Sequence, residues 1–463
     1  MNPLLVTDGT VVSAAGELQV DIRIEDGRIV AIDRGLDRAG CRIIEAENRL
    51  VLPGGIDVHT HVNLRVGAEK VSDGFYYGTV AAAHGGTTCI VEHPGFGPGG
   101  CSLLRQPQAY RDSGDGEVVV DYGLHGVAQH VDDQVLADIG GLAGQGIASL
   151  KVYLTYDGRL TDEEIIAVLQ AANRAGVLVC FHAENHAIVS ALTAKMRRGD
   201  CSDPTLHPRS RPDYAEAEAI YRLIRLARAA GDAPIYIVHL STAAGLEIIR
   251  KARKEGSVVY AETCPQYLCL DESCYARPDG LKYIMAPPLR LKEDAAALWQ
   301  GLADGDIDVV ATDHCSFSLA RKRALGSIDI FRAPGGIPGI ETRLPILFSE
   351  GVLKKRITRQ RFVELVSTNP ARIMGLAPAK GEIRVGADAD LVIFDLEQEI
   401  TLDEKNLHQH VDYTPFAGMH IQGWPETVLV RGRKTVAGGT LLAARGDGAF
   451  VFRQTSTLNG HLP

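Results

Sequence analysis

Short apolar runs rich in Val and Ile alternate with longer amphipathic segments between residues 55 and 315. This alternation is typical of successive βαβ units. The runs predict eight strands, at GIDVHTH (55–61), TTCIVEH (87–93), VVVDYGL (118–124), ASLKVYL (148–154), VLVCFHA (177–183), PIYIVHL (234–240), SVVYAET (257–263) and IDVVATD (307–313). Eight such repeats indicate the α/β class and a TIM-type (β/α)8 barrel.

Helical segments lie between most of these strands. The segment 161–176 begins with Thr161, a typical N-cap residue, and has a Glu three residues later, while the segment 214–231 ends in Gly. An open doubly wound sheet is the alternative architecture. The closed barrel is favoured because the eight strands follow one another regularly and no G-x-G-x-x-G motif follows the first.

Both ends of the chain show a different pattern. Residues 1–52 and 380–440 alternate short strand patterns with turn signals such as DGT and EDGR. Neither end is long enough to bury a sandwich core alone, so we predict that they pair into one small β-sandwich domain. The predicted domains are the sandwich over 1–52 and 376–445, the catalytic barrel over 53–375, and a loose tail or intersubunit arm over 446–463.

Composition and charge narrow the class of protein. The 463 residues are 45% hydrophobic, and no run approaches the roughly 18 apolar residues of a membrane span. A net charge of −10 disfavours a nucleic-acid partner. The nine cysteines include no CxxC pair, and the N-terminus lacks a secretory signal pattern. We therefore expect a soluble cytoplasmic protein that acts on small molecules, without a membrane partner.

Side chains that bind metals lie at the carboxyl ends of four predicted strands, where barrel enzymes carry their catalytic groups. His59 and His61 end the first strand, His182 the fifth, His239 the sixth and Asp313 the eighth. His59 and His61 are two residues apart on an extended chain, so both project from one face and can reach one ion. This convergence predicts a site for divalent metal ions.

Lys151 on the fourth predicted strand does not fit a simple metal site. An ammonium group is repelled by cations and offers them no lone pair. Two explanations remain open from the residues alone. Either Lys151 pairs with a nearby carboxylate, or burial beside cations lowers its pKa, and the neutral amine captures carbon dioxide to give a carbamate that bridges two metals.

These motifs resemble a known family. PGGIDVHTH, SLKVYLTY, FHAEN, IVHLS and ATDHC are similar to the cyclic-amidohydrolase branch of the amidohydrolase superfamily, nearly end to end. GGTTCIVEH, CPQYL, PPLR and DYTPFAG resemble the hydantoinase and dihydropyrimidinase family, and GFGPGGC, DYGLHGVAQH and KVYLTYDGRL look closest to bacterial D-phenylhydantoinases. The resemblance implies hydrolysis of a hydantoin, above all a 5-aryl hydantoin, or of a dihydropyrimidine to an N-carbamoyl amino acid.

The resemblance also implies a binuclear metal centre. It implies six ligands for two divalent ions, with His59, His61 and Asp313 on the first, His182 and His239 on the second, and N6-carboxylated Lys151 as the bridge. Two cations lower the pKa of a water so that it becomes a nucleophile, and Asp313 would act as general base and then acid. Zinc is the default metal, and manganese or cobalt would suit the same ligands.

Three further positions correspond to the family's substrate contacts. Tyr156 would donate its hydroxyl to the developing oxyanion. Main-chain groups around Ala286 in MAPPLR and Gly335 in APGGIPG would bind the cyclic imide. The family commonly has Ser and Asn at these two positions, so any help from those side chains would be lost here. The family's habit also implies a homotetramer.

A few positions separate the alternative functions. Dihydroorotases carry an Arg two residues after the paired histidines, and this Arg holds a substrate carboxylate. This chain has Asn63 at that position, which favours a substrate ring without a free carboxylate. Arg65 is interpreted as a loop residue. Dihydropyrimidinase and allantoinase activity on another cyclic ureide remain alternatives. A non-catalytic relative that serves as an interaction scaffold would lack the metal ligands, and a mononuclear deaminase would lack Lys151.

Other polar residues close to these motifs receive simpler interpretations. We expect His93 to line the mouth of the cavity, Glu184 to support His182, and His314 to point away from the side on which Asp313 lies. Asp388 and Asp390 in GADADL are predicted to form turns in the terminal β-domain.

Overall fold

Eight parallel strands close into a barrel in the computed structural model, which describes residues 2–455. The barrel strands, numbered β1 to β8 in chain order, are Gly55–Thr60, Thr87–Glu92, Asp121–Leu124 continued by Gly126–Val127, Ser149–Tyr153, Leu178–His182, Ile235–Ile237, Val259–Thr263 and Val309–Val310. Parallel pairing joins each strand to the next. Beyond β8, Asp313 N–H donates to the carbonyl of His59 (2.9 Å) and His61 N–H to that of His314 (2.8 Å), so β1 and the end of β8 close the ring. The predicted barrel is confirmed.

Strands β6 and β8 are shorter than the sequence pattern predicted. His239 and Asp313 follow them with φ angles of 41° and 52°, in the left-handed region that residues with a side chain rarely adopt. These residues end the extended conformation, although the apolar pattern runs on to them. The pattern of apolar and polar residues predicts which side chains are buried. It does not predict where the backbone adopts the left-handed conformation.

Helices cover the outside of the barrel, one or more after each strand. In Asp162–Ala175, Thr161 accepts a hydrogen bond from Glu164 N–H while Glu164 accepts one from Thr161 N–H, and Gly176 ends the helix in the left-handed conformation. This helix and Asp213–Ala229 confirm the two helical predictions. Among residues 2–455, no helix combines the length and the apolar character needed to cross a bilayer.

The remaining helical segments are as follows. The α-helices are Gly74–His84, Arg105–Gly114, Asp133–Gly144, His186–Met196, Leu206–Ser210, Ala243–Lys254, Pro265–Cys269, Lys292–Asp304, Leu319–Gly326, Arg343–Leu347, Arg359–Val363 and Asn369–Ile373. The 3-10 turns are Glu272–Ala276, Gly280–Tyr283, Ile330–Arg332 and Glu404–Asn406, and the π-helical turns are Phe348–Leu353 and Glu364–Thr368.

The two ends of the chain form a sandwich of two sheets. The smaller sheet contains, in spatial order, Arg28–Asp33, Asp21–Glu25, Leu4–Thr7 and Arg42–Glu45. The larger contains Thr440–Leu441, Arg433–Ala437, His420–Val430, Leu391–Thr401, Arg49–Pro53, Thr10–Ser13 and Gly16–Gln19. Apolar side chains of both sheets, such as Ile22 and Leu391, share one buried cluster. The predicted sandwich is confirmed, and the exact domain boundaries stay a prediction.

A buried charge cluster joins the sandwich to the barrel. Lys380 Nζ lies 2.7 Å from carboxylate oxygens of Asp121 and Asp390 and 3.2 Å from Asp388. Burial alone would lower the pKa of Lys380, but the surrounding carboxylates raise it well above its usual value. The turn interpretation of Asp388 and Asp390 was therefore incomplete, because both also pair with this lysine.

The described part of the predicted tail, residues 446–455, packs against the barrel. Tyr122 N–H donates to the carbonyl of Ala449 (2.9 Å), and the guanidinium of Arg453 is fully buried. Arg453 donates to the carbonyl of Leu124, to Ser149 Oγ (3.0 Å) and to the carbonyl of residue 374 (3.2 Å). The rest of the predicted tail, 456–463, lies outside the described residues.

We predict that Arg453→Ala lowers the free energy of unfolding by about 3 kcal/mol, because it removes several buried hydrogen bonds and leaves their acceptors unpaired. Urea denaturation measures this difference. Arg445→Ala is the matched control, since the half-exposed Arg445 forms an ion pair with Glu117 (3.1 Å) and a cation–π contact with Tyr76 (4.0 Å), and its loss should change stability by about 1 kcal/mol or less. Equal losses in both variants would contradict a stabilising role for Arg453.

Candidate metal centre

His59, His61 and Asp313 meet at the carboxyl ends of β1 and β8. The Nε2 atoms of both histidines lie 3.2 Å from the same oxygen of Asp313. One potential ligand atom from each residue lies within 4.8 Å of the others, an arrangement suited to one metal ion. Barrel closure explains the meeting, because it pairs the backbone of Asp313 with that of His59.

His182 and His239 form a second pair of facing nitrogens, with His182 Nδ1 2.9 Å from His239 Nε2. Burial alone would raise the pKa of Glu184, but Arg211 and His182 outweigh it and hold the pKa at about 2. The ionised Glu184 therefore accepts a hydrogen bond from His182 Nε2 (2.7 Å), which leaves the lone pair of His182 on Nδ1. If His239 also carried a lone pair on Nε2, the two facing lone pairs would repel each other unless a proton or a cation lay between them.

Lys151 on β4 is almost completely buried, and its Nζ lies 3.3 Å from His59 Nε2. Within residues 2–455, no carboxylate lies within 4.0 Å of this nitrogen. Burial lowers the pKa of Lys151 to about 8, although Asp313 and Glu262 act in the opposite direction. The described residues therefore do not contain the close lysine–carboxylate pair that was one explanation of Lys151.

The two histidine groups lie side by side, and their chemistry fits divalent cations. The rings of His59 and His239 are stacked with centroids 5.4 Å apart. Burial lowers the pKa of both histidines well below the usual range, which favours the neutral imidazole that ligates metals. Among the described residues, buried Nδ1 of His239 has no hydrogen-bond partner. Neutral imidazoles beside an ionised Asp313 are a donor set that zinc, manganese and cobalt accept.

Glu262, near the end of β7, was missed by the sequence analysis. It lies 2.7 Å from His59 Nδ1, and it accepts hydrogen bonds from Tyr236 Oη (2.8 Å) and from His239 N–H (3.0 Å). Donation from Nδ1 leaves the His59 lone pair on Nε2, the nitrogen that faces Asp313. The rule that selected the ligands, a polar residue near the carboxyl end of a barrel strand, would also have found Glu262.

His93 departs from its predicted position, whereas His314 agrees with its prediction. His93 is fully buried instead of lining the cavity mouth, with its ring stacked on that of His125 at 3.7 Å. His314 points away from the metal centre, as expected. Its Nε2 lies 2.7 Å from Asp73, and its Nδ1 accepts from the N–H of Gly339 (3.0 Å), so His314 connects the loops that follow β1 and β8.

Tyr156 lies beside the second histidine pair. Its ring centroid is 5.2 Å from that of His182, and the guanidinium carbon of Arg211 lies 5.6 Å from the ring centre. Desolvation raises the pKa of Tyr156 to about 12, so its hydroxyl keeps its proton and remains a hydrogen-bond donor. The side chain is 38% exposed, which leaves it accessible to a bound molecule.

Ala286 and Gly335 belong to two segments that the structure brings together. Gly336 N–H donates to the carbonyl of Ile284 (3.0 Å), so the segments run next to each other. The second segment is also tied to the region after β8, because Cys315 N–H donates to the carbonyl of residue 337 (2.9 Å). Main-chain groups are the only polar atoms that Ala286 and Gly335 offer.

Comparisons with known proteins agree with this architecture. The model of the amidohydrolase family matches residues 50–435. The chain is 44% identical to a D-phenylhydantoinase of Escherichia coli O9:H4 over 97% of its length and 98% of that protein. The crystal structure of a dihydropyrimidinase from Brevibacillus agri superimposes with a TM-score of 0.96 at 39% identity. The structure of a D-hydantoinase from Bacillus sp. AR9 superimposes with a TM-score of 0.95 at 40% identity. Both alignments cover 98% of this chain and 99% of the chain it is compared with. The chain belongs to the amidohydrolase family.

Proposed function

We propose that this chain uses two divalent metal ions to hydrolyse the ring amide of a hydantoin or dihydropyrimidine to an N-carbamoyl amino acid. The observation that carries the proposal is the meeting of His59, His61 and Asp313 beside the facing nitrogens of His182 and His239. The chain is a cyclic amidohydrolase, and its relatives are named for hydantoins and dihydropyrimidines.

His59, His61 and Asp313 would hold the first ion, and His182 and His239 would hold the second. We assign the bridge to carboxylated Lys151, whose Nζ bonds to the carbon of carbon dioxide and releases a proton. Its burial, its lowered pKa and the absence of a paired carboxylate in residues 2–455 support this assignment. When bound, two such cations supply an activated water near neutral pH and polarise the substrate carbonyl. Zinc is the proposed metal, with manganese and cobalt as alternatives.

The remaining roles fall to residues that surround the metal centre. Asp313 takes a proton from the attacking water and delivers it to the ring nitrogen as the C–N bond breaks. Tyr156 donates its hydroxyl to the oxygen that becomes negative. Main-chain groups at Ala286 and Gly335 hold the cyclic imide, and Glu262 fixes the orientation of His59.

A 5-aryl hydantoin is the proposed substrate. Similarity to a D-phenylhydantoinase supports this choice. Asn63, which follows the paired histidines, provides no cation for a substrate carboxylate, and Arg65 is exposed on the short strand Arg65–Val66. Dihydropyrimidines and allantoin are the alternative substrates that an assay distinguishes.

We further propose a homotetramer in the cytoplasm. The resemblance to the hydantoinases supports the subunit number. The nine cysteines are all free thiols in the structure, which supports a reducing compartment.

Metal analysis combined with hydrolysis assays tests the proposed function. We expect about two metal ions per chain and the highest kcat/KM on one enantiomer of 5-phenylhydantoin, with lower values on dihydrouracil and allantoin. Removal of the metals with a chelator should abolish hydrolysis, and readdition should restore it. A metal-loaded protein that is inactive on every cyclic amide would refute the proposal.

Lys151→Ala should abolish hydrolysis and lower the bound metal, because it removes the proposed bridging carbamate. A short carboxylic acid such as propionate should partly restore both. Lys195→Ala, at an exposed lysine of helix His186–Met196, is the control and should retain wild-type kcat and metal content. Wild-type activity in Lys151→Ala would exclude the bridging role.

Glu262→Gln should weaken metal binding about 10- to 100-fold, because it removes the charge that fixes the orientation of His59. Competition with a metal chelator measures this affinity, and kcat should fall with metal occupancy. Glu163→Gln, at an exposed glutamate, is the matched control and should bind metal as the wild type does. Unchanged affinity in Glu262→Gln would show that His59 is oriented without it.

A further inference from the structure

Lys322, on helix Leu319–Gly326, is a fully buried lysine to which the proposed chemistry gives no role. Nowhere in the described chain, residues 2–455, does a carboxylate lie within 4.0 Å of its ammonium. Burial lowers the pKa of Lys322 to about 7, which shows that the position opposes the charged form. An apolar side chain would avoid this cost, so the ammonium itself needs an explanation.

The ammonium of Lys322 joins three segments at one carbonyl. Lys322 Nζ lies 2.6 Å from the carbonyl oxygen of Ile284 and 3.5 Å from that of Lys282. The carbonyl of Ile284 also accepts from Gly336 N–H at 3.0 Å. One oxygen atom therefore ties helix Leu319–Gly326 to the segment that leads to Ala286 and to the segment that contains Gly335.

The place where these three segments meet, at the carbonyl of Ile284 and the backbone of Gly336, is called the junction below. Tyr413 contacts this junction from a different part of the chain. Its hydroxyl donates to the carbonyl of Gly336 (3.4 Å), and its ring centre lies 5.8 Å from Lys322 Nζ. Tyr413 is itself buried. The carbonyl of Ile284 and the backbone of Gly336 are thus held by two side chains that do not belong to either segment.

We propose that Lys322 is a positioning residue for substrate binding, which keeps the main-chain groups of Ala286 and Gly335 at the separation that a cyclic imide needs. This inference rests on the proposed function, in which those groups bind the ring. Ala286 lies two residues after Ile284, and Gly335 directly precedes Gly336, so a shift at the junction moves both. Hydrogen bonds weaken steeply when distance and angle change, so small shifts alter binding.

A purely structural role for Lys322 predicts a different result. Loss of a buried hydrogen bond would then lower thermal stability and leave substrate affinity unchanged in the molecules that remain folded. A positioning role instead raises KM and leaves kcat and bound metal nearly unchanged, because Lys322 touches neither the reacting atoms nor a proposed metal ligand. The two roles are therefore separated by kinetics on the folded, metal-loaded enzyme.

Lys322→Met, which keeps an unbranched side chain out to Cε and removes the ammonium, tests the inference. We expect KM for the best cyclic substrate to rise about tenfold, with kcat within about twofold of wild type. Arg323→Met, at an exposed residue on the same helix, should keep the wild-type KM. Tyr413→Phe, a second variant in case Lys322→Met does not fold, should raise KM about threefold.

Hydrogen–deuterium exchange of the substrate-free protein provides a readout that does not need activity. Amide protection of peptides that contain Gly336 should fall about tenfold in Lys322→Met and stay unchanged in Arg323→Met. A wild-type KM, or wild-type exchange at Gly336, in Lys322→Met would overturn the inference. A wild-type enzyme without activity on any cyclic amide would remove the proposed function instead, and the exchange result would then decide whether Lys322 holds this junction.

Discussion

Closure of the barrel between β1 and the end of β8 is the constraint on which the rest of the structure depends. Backbone hydrogen bonds of His59 and His61 to residues 313 and 314 make this contact. Because His59 and Asp313 are far apart in sequence, no local element could bring them together. The same hydrogen bonds that close the sheet therefore assemble half of the candidate metal centre.

Two buried arginines reinforce this closed ring. Arg343 donates to the carbonyls of Ile56 on β1 (3.0 Å) and Val310 on β8 (2.9 Å), and to Thr87 on β2 (3.0 Å). Arg453 joins β3 to β4 in the same way, although it comes from the C-terminal segment. The planar guanidinium suits this role, because it offers five donors in fixed directions and can serve several strands at once. The barrel thus depends on residues outside its own strands.

Sequence reasoning found the barrel and its rim because both depend on local patterns. Apolar runs identify strands, and polar residues at their ends identify His182 or Asp313. Glu262 meets the same criterion near the carboxyl end of β7, but its contacts with His59 and His239 depend on neighbouring strands and cannot be seen in its own segment. The pairing of Lys380 with Asp388 could not be predicted, since it depends on how the sandwich lies against the barrel. The left-handed backbone at the ends of β6 and β8 leaves no mark in hydrophobic periodicity.

At these left-handed positions, backbone stability and the candidate metal centre make opposite demands on the residue. At His239 and Asp313, a glycine would relax the conformation and would also remove a candidate metal-ligating side chain. Each of the two positions therefore combines an unfavourable backbone conformation with a side chain that the candidate metal centre needs.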